Sequence, residues 1–459
     1  MPPSYAPERA YVVDIVLARF LGLDYRLSTA ECAATQLQLP NGNRLIVDDC
    51  LFATPVMSWL SDSTLPRQPL ASWRVPDRLR PLGRIESVPV LFGTGELHME
   101  GEEGSLKARL GVDVFGSVFF MLSRYEERVV KTRDRFSRFP ALESLAMREG
   151  FLDRPVVNEY VELLWRALSL LCPGLVRSRR TYRLVLTHDV DVPSSAAGLR
   201  PHELLRGLAG DLMRRRSPAI ALGRARTVFS SQFGVNGVDP YSTFEFIMNA
   251  SEHVGLLSAF YFICGRSAGA LDGSYSIRET WVQRIMKTIH ERGHEIGLHA
   301  SFNTFDQPAL LRQERQELAQ VAANIGVAQP VWGGRQHYLR WECPTTWQAW
   351  EDADLAYDST LGFADHVGFR TGCCFEYPVF NLDSRKPCKL VERPLVVMEG
   401  TLLGKSYMNV SEREALEWVE KLSQQCRAYQ GDFVLLWHNH YLVTRRQQAM
   451  YLEAVRCAV

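Results

Sequence analysis

The stretch Arg183-Leu-Val-Leu-Thr-His-Asp-Val-Asp191 decides the fold class, because an apolar strand here ends in two acidic residues that are one position apart. Side chains alternate across a strand, so Asp189 and Asp191 share one face and can converge on one point. One carboxylate can serve there as a metal ligand and the other as a base. A second segment, Gly293-His-Glu-Ile-Gly-Leu-His299, closes a later strand with histidine. Together the two segments indicate a metal-dependent hydrolase.

From Tyr182 onward, short apolar runs alternate with helical patterns, which is typical of βα units around a parallel sheet. The candidate strands are 184–187, 258–263, 295–298, 330–333, 355–358, 390–396 and 432–437, and the candidate helices include 279–292 and 309–325. We predict an α/β protein with a distorted (β/α) barrel of about seven strands. The active sites of such barrels lie at the C-terminal ends of the strands, where both acidic residues and His299 fall.

The first part of the chain has a different character. Only one of the eleven histidines, His98, precedes residue 188, so the chemistry is expected in the later part. Apolar spacing predicts helices over 112–127 and 156–171. We predict an N-terminal α/β accessory domain over residues 1–178 and a barrel domain over residues 179–459.

Composition narrows the function classes. The 459 residues carry 52 basic and 52 acidic side chains, so no global field favours nucleic acid, and no nucleic-acid partner is expected. The ten cysteines are scattered without a Cys-x-x-Cys pair, as in proteins that keep reduced thiols. The N-terminus lacks a signal-peptide pattern, and no apolar run is long enough to span a bilayer. We therefore expect a cytoplasmic protein without a transmembrane segment.

The later part of the chain resembles the polysaccharide deacetylases of the carbohydrate esterase family 4 type. The matching elements, in the family's order, are Thr187-His-Asp-Val-Asp191, Ser258-Ala-Phe-Tyr-Phe-Ile263, Gly293-His-Glu-Ile-Gly-Leu-His299, Arg335-Gln-His-Tyr338 and Leu436-Trp-His438. The whole sequence, including Ser123-Arg-Tyr-Glu-Glu127, is similar to a long bacterial subgroup of that superfamily with surface-polysaccharide functions.

The resemblance implies a ligand set for a divalent metal. Asp191 and His299 would bind the ion, with zinc as the first choice and manganese or cobalt as alternatives. The family has a second histidine four residues after the first, but this chain has Asn303 there. An amide oxygen is a poorer zinc ligand than imidazole. We predict that Asn303 is the third ligand. The alternatives are that His337 or His440 takes its place, or that the site binds metal weakly.

The resemblance also implies catalytic roles. Asp189 would act as general base and His438 as general acid that protonates the departing amine. Arg335 would orient Asp189 and hold it ionised, although Arg340 competes for that role. Tyr338 would bind the developing oxyanion through its hydroxyl or its backbone NH.

Between residues 199 and 233, the basic cluster Arg214-Arg215-Arg216 follows Leu212-Met213. A basic, partly amphipathic helix can contact anionic headgroups or phosphate-bearing substrates, and it can equally be a solvated helix. If the basic cluster binds phosphate, the substrate is a lipid-linked or nucleotide-linked sugar, and peripheral membrane contact is expected.

These observations predict a metal-dependent N-deacetylase that removes acetyl or other acyl groups from an amino-sugar-containing polysaccharide or its cytoplasmic precursor. One alternative is a hydrolase of another C–N amide bond on the same barrel. Another is a catalytically weak glycan-binding or assembly protein, which the replacement at Asn303 favours and the presence of Asp189 opposes.

Overall fold

The computed structural model describes residues 1–80, 86–101, 105–195, 201–233 and 239–459, without the side chains of 201–204 and 226–233. Within these ranges, the strands form a four-stranded sheet, a two-stranded ribbon and a nine-stranded sheet. No helix in the same ranges is long and apolar enough to cross a membrane. All ten cysteines are free thiols.

The N-terminal part contains the small sheet and the ribbon. Its strands are β1 (Thr35–Gln38), β2 (Arg44–Val47), β3 (Ala71–Arg74), β4 (Ser87–Val90), β5 (Gly93–Glu100) and β6 (Lys107–Val112). Its helices are α1 (Ala6–Val13), α2 (Val114–Leu122), α3 (Tyr125–Val129), α4 (Leu145–Arg148) and α5 (Val156–Leu171), and a π-helical stretch, Asp14–Phe20, continues α1. The sheet order is β1-β2-β6-β5, and β3 pairs with β4.

The two helices predicted in this part have different outcomes. The helix predicted over 156–171 is α5, with the same bounds. The helix predicted over 112–127 is instead two helices, α2 and α3, which are separated at Arg124 because that residue adopts a left-handed conformation with φ 55°. Every residue of α2 is buried, so it is a core helix rather than an amphipathic one.

The later part contains the nine-stranded sheet. Its strands are β7 (Arg183–Val190), β8 (Ser258–Ile263), β9 (Glu295–Ala300), β10 (Gly333–Gln336), β11 (Tyr357–Asp358), β12 (Tyr377–Asn381), β13 (Lys386–Glu392), β14 (Val397–Met398) and β15 (Asp432–Leu436). Its helices are α6 (Pro201–Met213), α7 (Pro218–Phe233), α8 (Phe244–His253), α9 (Thr280–Glu291), α10 (Pro308–Asn324), α11 (Thr345–Asp352), α12 (Glu399–Leu403), α13 (Glu412–Ala428) and α14 (Arg445–Ala458).

The order of this sheet is β12-β13-β11-β10-β9-β8-β7-β15-β14, and every neighbouring pair is parallel except β12 with β13. The sheet is strongly curled. Arg335 of β10 donates a 2.7 Å hydrogen bond to Asp189 of β7, although β8 and β9 lie between them. In a flat sheet, three strand spacings would separate these strands by about 14 Å, beyond the reach of an arginine side chain. The predicted α/β class and barrel-type architecture are confirmed.

The least accurate strand prediction was 330–333, because the strand runs from Gly333 to Gln336 and includes two polar residues. The side chain of Gln336 is buried and donates to the backbone carbonyl of Ser301 at 2.7 Å. A Cβ atom at Gly334 would lie 1.8 Å from the carbonyl oxygen of Leu298, so only glycine allows this close approach of β10 to β9. Neither contact leaves a periodic apolar signal in the sequence.

The N-terminal part packs tightly against the barrel. Phe119 of α2 contacts Phe380 of β12 with ring centroids 5.3 Å apart, and the hydroxyl of Tyr11 donates to the carbonyl of Pro378 at 2.7 Å. One hydrophobic core includes residues of both parts. The domain boundary at residue 178 stays a prediction.

Candidate metal centre and active site

Titratable side chains from four strand ends surround one cavity of about 370 Å³. Asp189 lies in β7, Asp191 is the first residue after that strand, and His299 lies in β9. His337 follows β10 and His438 follows β15. The cavity therefore lies at the C-terminal ends of the strands, as parallel barrels arrange their sites.

Three of these residues have the spacing of a metal site. Asp191, His299 and His337 each offer one ligand atom, and the three atoms lie within 4.8 Å of one another. Oδ1 of Asp191 is 3.2 Å from Nε2 of His299 and 3.6 Å from Nε2 of His337. Bonds of about 2.0–2.2 Å to a tetrahedral zinc ion place its ligand atoms about 3.3–3.6 Å apart. The donor set and its spacing fit a divalent metal.

Two of the ligand atoms have no hydrogen-bond partner among the described residues. Oδ1 of Asp191 and Nε2 of His299 are buried, and neither forms a hydrogen bond with the described residues. Buried polar atoms without partners are costly and rare, so they call for a ligand. A bound cation would satisfy both atoms.

Neighbouring groups hold both imidazoles with Nε2 towards the cavity. Nδ1 of His299 donates to the carbonyl of Arg335 at 2.9 Å, and Nδ1 of His337 donates to Asp272 at 3.1 Å. Asp272 is fully buried and also accepts from the backbone NH of Phe302 at 2.6 Å. Such bonds select the tautomer that leaves Nε2 free for a metal. Asp272 has no motif around it, and the sequence analysis missed it.

Asn303 is not brought into this group. Its amide nitrogen donates to the carbonyl of Ser267 at 2.9 Å, and its amide oxygen accepts from Nη1 of Arg340 at 3.1 Å. The side chain is thus already occupied at the edge of the site. His337, one of the two substitutes considered, lies with Asp191 and His299 as a candidate third donor. The other substitute, His440, lies beside His438 with ring centroids 5.4 Å apart.

Arg335, rather than Arg340, pairs with the predicted base. Nη1 of Arg335 donates to Oδ1 of Asp189 at 2.7 Å, and Nη2 donates to Thr187 and to Ser359. Both ionic groups are buried. Burial opposes the charged form of Asp189, but nearby positive charge, first that of Arg335, outweighs it and holds the pKa of this carboxyl below its ordinary value. Asp189 is therefore an anion whose position is fixed.

His438 has a carboxylate partner of its own. Its Nδ1 lies 2.5 Å from Oε1 of Glu399, and its Nε2 lies 3.6 Å from Oδ2 of Asp191. Burial disfavours the imidazolium, but the charge of Glu399 outweighs it and raises the pKa of His438 to about 10. Glu399 is fully buried at the start of the five-residue helix α12. It carries no motif, and the sequence analysis did not find it.

Tyr338 directly follows His337 and lines the cavity. Its ring contacts the imidazole of His337 with centroids 4.7 Å apart and the ring of Phe302 with centroids 5.2 Å apart. Its backbone is left-handed, with φ 62° and ψ 11°. Tyr407 and Tyr441 also line the cavity, so its walls are partly aromatic.

The family of unknown function DUF7033 matches residues 1–173. No curated protein matches the chain.

Solved structures match about three fifths of the chain. A protein from Mycobacterium smegmatis assigned as a polysaccharide deacetylase is 16% identical, with 61% of this chain and 86% of that chain covered and a TM-score of 0.40. The PuuE allantoinase is 12% identical, with 60% and 83% covered and a TM-score of 0.36. A protein from Pseudomonas aeruginosa PAO1 assigned as a polysaccharide deacetylase is 13% identical, with 60% and 83% covered and a TM-score of 0.34.

Proposed function

We propose that the barrel is a metal-dependent hydrolase that removes N-acetyl or other N-acyl groups from an amino-sugar-containing glycan or its precursor. The observation that carries the proposal is the pair of orphaned ligand atoms, Oδ1 of Asp191 and Nε2 of His299. They lie beside a buried carboxylate, Asp189, that a guanidinium holds ionised. A ligand site next to a fixed base is what metal-assisted hydrolysis requires.

The proposed ligands are Asp191, His299 and His337, with zinc as the first candidate because two imidazoles and one carboxylate suit it. Manganese and cobalt are the alternatives. A divalent metal held here supplies Lewis acidity for the acyl carbonyl and for the attacking water.

The remaining roles belong to side chains. Asp189 accepts the proton of the attacking water, and its bond to Arg335 keeps the carboxylate aimed at the cavity. His438 donates a proton to the departing amine, and Glu399 holds its ring and favours its charged form. Tyr338, beside the metal ligands, stabilises the oxyanion of the tetrahedral intermediate.

The lining of the cavity supports a carbohydrate as the substrate. Tyr338, Tyr407 and Tyr441 offer apolar ring faces together with hydroxyl groups. The volume of about 370 Å³ lies within the range of small-ligand sites, about 300–1,000 Å³. The same chemistry would also cleave another C–N amide bond, which is the alternative within hydrolases.

A lipid-linked or nucleotide-linked sugar at a cytoplasmic membrane surface is the finer form of this proposal. Leu212, Met213, Arg214 and Arg216 are exposed at the end of α6, a combination that suits anionic headgroups. Arg215 contributes less than the sequence indicates, because it pairs with Asp211 at 2.7 Å.

Elemental analysis of the protein as purified tests the metal site. We expect near-stoichiometric metal that Asp191→Ala and His337→Ala lose, while Asn303→Ala retains it. If Asn303→Ala loses the metal and His337→Ala keeps it, the ligand set is the one that the family motif implies. If wild type takes up no zinc, manganese or cobalt on loading, the glycan-binding alternative replaces the hydrolase.

Acetate release from an N-acetylated chito-oligosaccharide tests the reaction. The metal-loaded wild type should release acetate, and Asp189→Asn should reduce the rate by about 10²–10⁴-fold, the usual contribution of a general base, while it retains its metal. A metal-loaded wild type that cleaves other amides and leaves this probe intact supports the alternative hydrolase.

A further inference from the structure

A compact turn of the N-terminal part, residues Asp134–Arg138, reaches the cavity through Arg138. The backbone NH of Asp134 donates to the carbonyl of Arg138 at 2.9 Å. Oδ1 of Asp134 accepts from the backbone NH groups of Phe136 and Arg138, at 2.8 and 2.9 Å. The carboxylate also pairs with the guanidinium of Arg138 at 2.7 Å. Asp134 thus fixes both the shape of the turn and the direction of the arginine.

The turn holds the segment that follows the ligand His337. Nη1 of Arg138 donates to the carbonyl of Tyr338 at 3.2 Å, and Nη2 donates to the hydroxyl of Tyr407 at 3.3 Å. The carbonyl of Phe136 accepts from Nε of Arg340 at 2.7 Å. The rings of Phe136 and Tyr338 pack with centroids 5.2 Å apart. Arg138 is buried, lines the cavity and joins two tyrosines of its wall.

The held segment has an unfavourable backbone. Tyr338 and Leu339 are successive non-glycine residues with φ 62° and φ 55°. Left-handed conformations cost free energy for residues with a Cβ, and they persist where surrounding contacts impose them. The contacts from the turn act on Tyr338 itself and on Arg340, two residues further. The N-terminal part therefore supplies restraints at the point where the barrel backbone is strained.

We propose that Arg138 is a positioning residue for Tyr338, and that the N-terminal part completes the active site instead of serving as a separate accessory domain. Arg138 binds Asp134, the carbonyl of Tyr338 and the hydroxyl of Tyr407 at once through its planar fork of donors. A lysine has one compact ammonium and cannot reach all three partners. The segment that matches DUF7033 includes this turn, so positioning becomes a function for that segment.

Hydrogen–deuterium exchange tests the restraint without any substrate. In Arg138→Ala, the amides of residues 338–341 should exchange about tenfold faster, which corresponds to the loss of one hydrogen bond, while exchange in the remaining barrel strands stays unchanged. Arg138→Lys should show a smaller increase. Arg135→Ala is the matched control, because this exposed arginine of the same turn stacks on Phe136 and does not line the cavity. Equal exchange in the Arg138→Ala and Arg135→Ala variants would overturn the proposal.

A second variant tests the positioning role if Arg138→Ala does not fold. Tyr407→Phe keeps the arginine and removes only one of its partners, so faster exchange confined to residues 338–341 is expected. Exchange at the wild-type rate in this variant, with Arg138→Ala unfolded, would give Arg138 a purely structural role and contradict the proposal.

A kinetic measurement rests on the proposed function and extends the test. With the N-acetylated chito-oligosaccharide, Arg138→Ala should lower kcat about 10–100-fold with little change in KM and full metal content, because the oxyanion donor is displaced. A higher KM with unchanged kcat would contradict positioning and indicate substrate binding. If the wild type releases no acetate, the hydrolase proposal fails, and the exchange data alone decide the role of Arg138.

Discussion

Two buried clusters of charge, one between the N-terminal part and the barrel and one in the cavity, differ in how their polar atoms are satisfied. In the first, Oε1 of Glu127 accepts from Arg124 at 2.8 Å, and Oε2 accepts from Arg370 at 2.6 Å. In the second, Oδ1 of Asp191 and Nε2 of His299 face each other at 3.2 Å and have no hydrogen-bond partner among the described residues. We call these the closed cluster and the open cluster.

The comparison teaches that burial and charge alone do not identify a functional site. Glu127 is as deeply buried as Asp189. Its partners, however, satisfy it completely within the protein. A cluster with unsatisfied ligand atoms can gain free energy from an added ion, whereas a closed one already has its counter-charges.

We expect the largest effect on stability from a substitution that disrupts the closed cluster. Glu127→Gln leaves Arg124 and Arg370 buried without their counter-charge, and should lower the free energy of unfolding by about 3–5 kcal/mol. Urea unfolding measures this loss. Glu453→Gln, which removes an exposed pair with Arg456, is the control and should leave stability unchanged. Metal content per folded molecule should stay at the wild-type value, and a loss of metal in Glu127→Gln would mean that the clusters are coupled.

We expect a slightly smaller effect of pH on the free energy of unfolding. Burial opposes ionisation of Glu127, but Arg370 and Arg124 outweigh it and lower its pKa from 4.5 to about 2. A carboxyl whose pKa is lower in the folded than in the unfolded protein stabilises the fold at pH values above the unfolded pKa. This contribution is lost as the pH falls from about 4.5 to about 2. The wild type should therefore lose about 3 kcal/mol more than Glu127→Gln over this interval. Unfolding curves recorded at several pH values measure the difference, and parallel curves for the two proteins would refute it.

We expect the smallest effect, a change in zinc affinity, from a substitution beside the open cluster. Asp272→Asn weakens the carboxylate bond that holds His337, and should reduce zinc affinity about 10–100-fold with little effect on folding. Competition with a zinc chelator measures the affinity. Asp306→Asn is the control, because this exposed carboxylate lies in the turn that follows β9. Equal affinities in the two variants would show that His337 is not a ligand or needs no support.

Local motifs predicted the residues that the barrel itself brings together. Asp189, Asp191 and His299 lie at strand ends, and parallel strands collect their C-terminal ends on one rim. Arg335 was predicted two residues beyond the expected end of its strand, and the structure pairs it with Asp189. The catalytic roles of these residues stay predictions.

Residues that support the site from outside the strands were not predicted from the sequence. Asp272 lies at the end of a 3₁₀ helix, Glu399 in a short α-helix and Arg138 in a distant turn, and none has a periodic or motif-like neighbourhood. The identity of the third ligand was also open from the sequence, because Asn303 and His337 both follow a strand end. In the structure, Asn303 bonds to Arg340, and its exclusion from the ligand set stays a prediction.

The alternation of strands and helices could be predicted from the sequence, and so could the rim on which the candidate site lies and most of the titratable residues there. These follow from side-chain periodicity and from the common direction of parallel strands, which are local properties. The proximity of His337 to Asp191 and His299, the carboxylates that hold the imidazoles of His337 and His438, and the reach of Arg138 to the cavity are visible only in the tertiary structure. Those arrangements depend on contacts between residues far apart in the chain, and such contacts form only when the curled sheet brings its strand ends together.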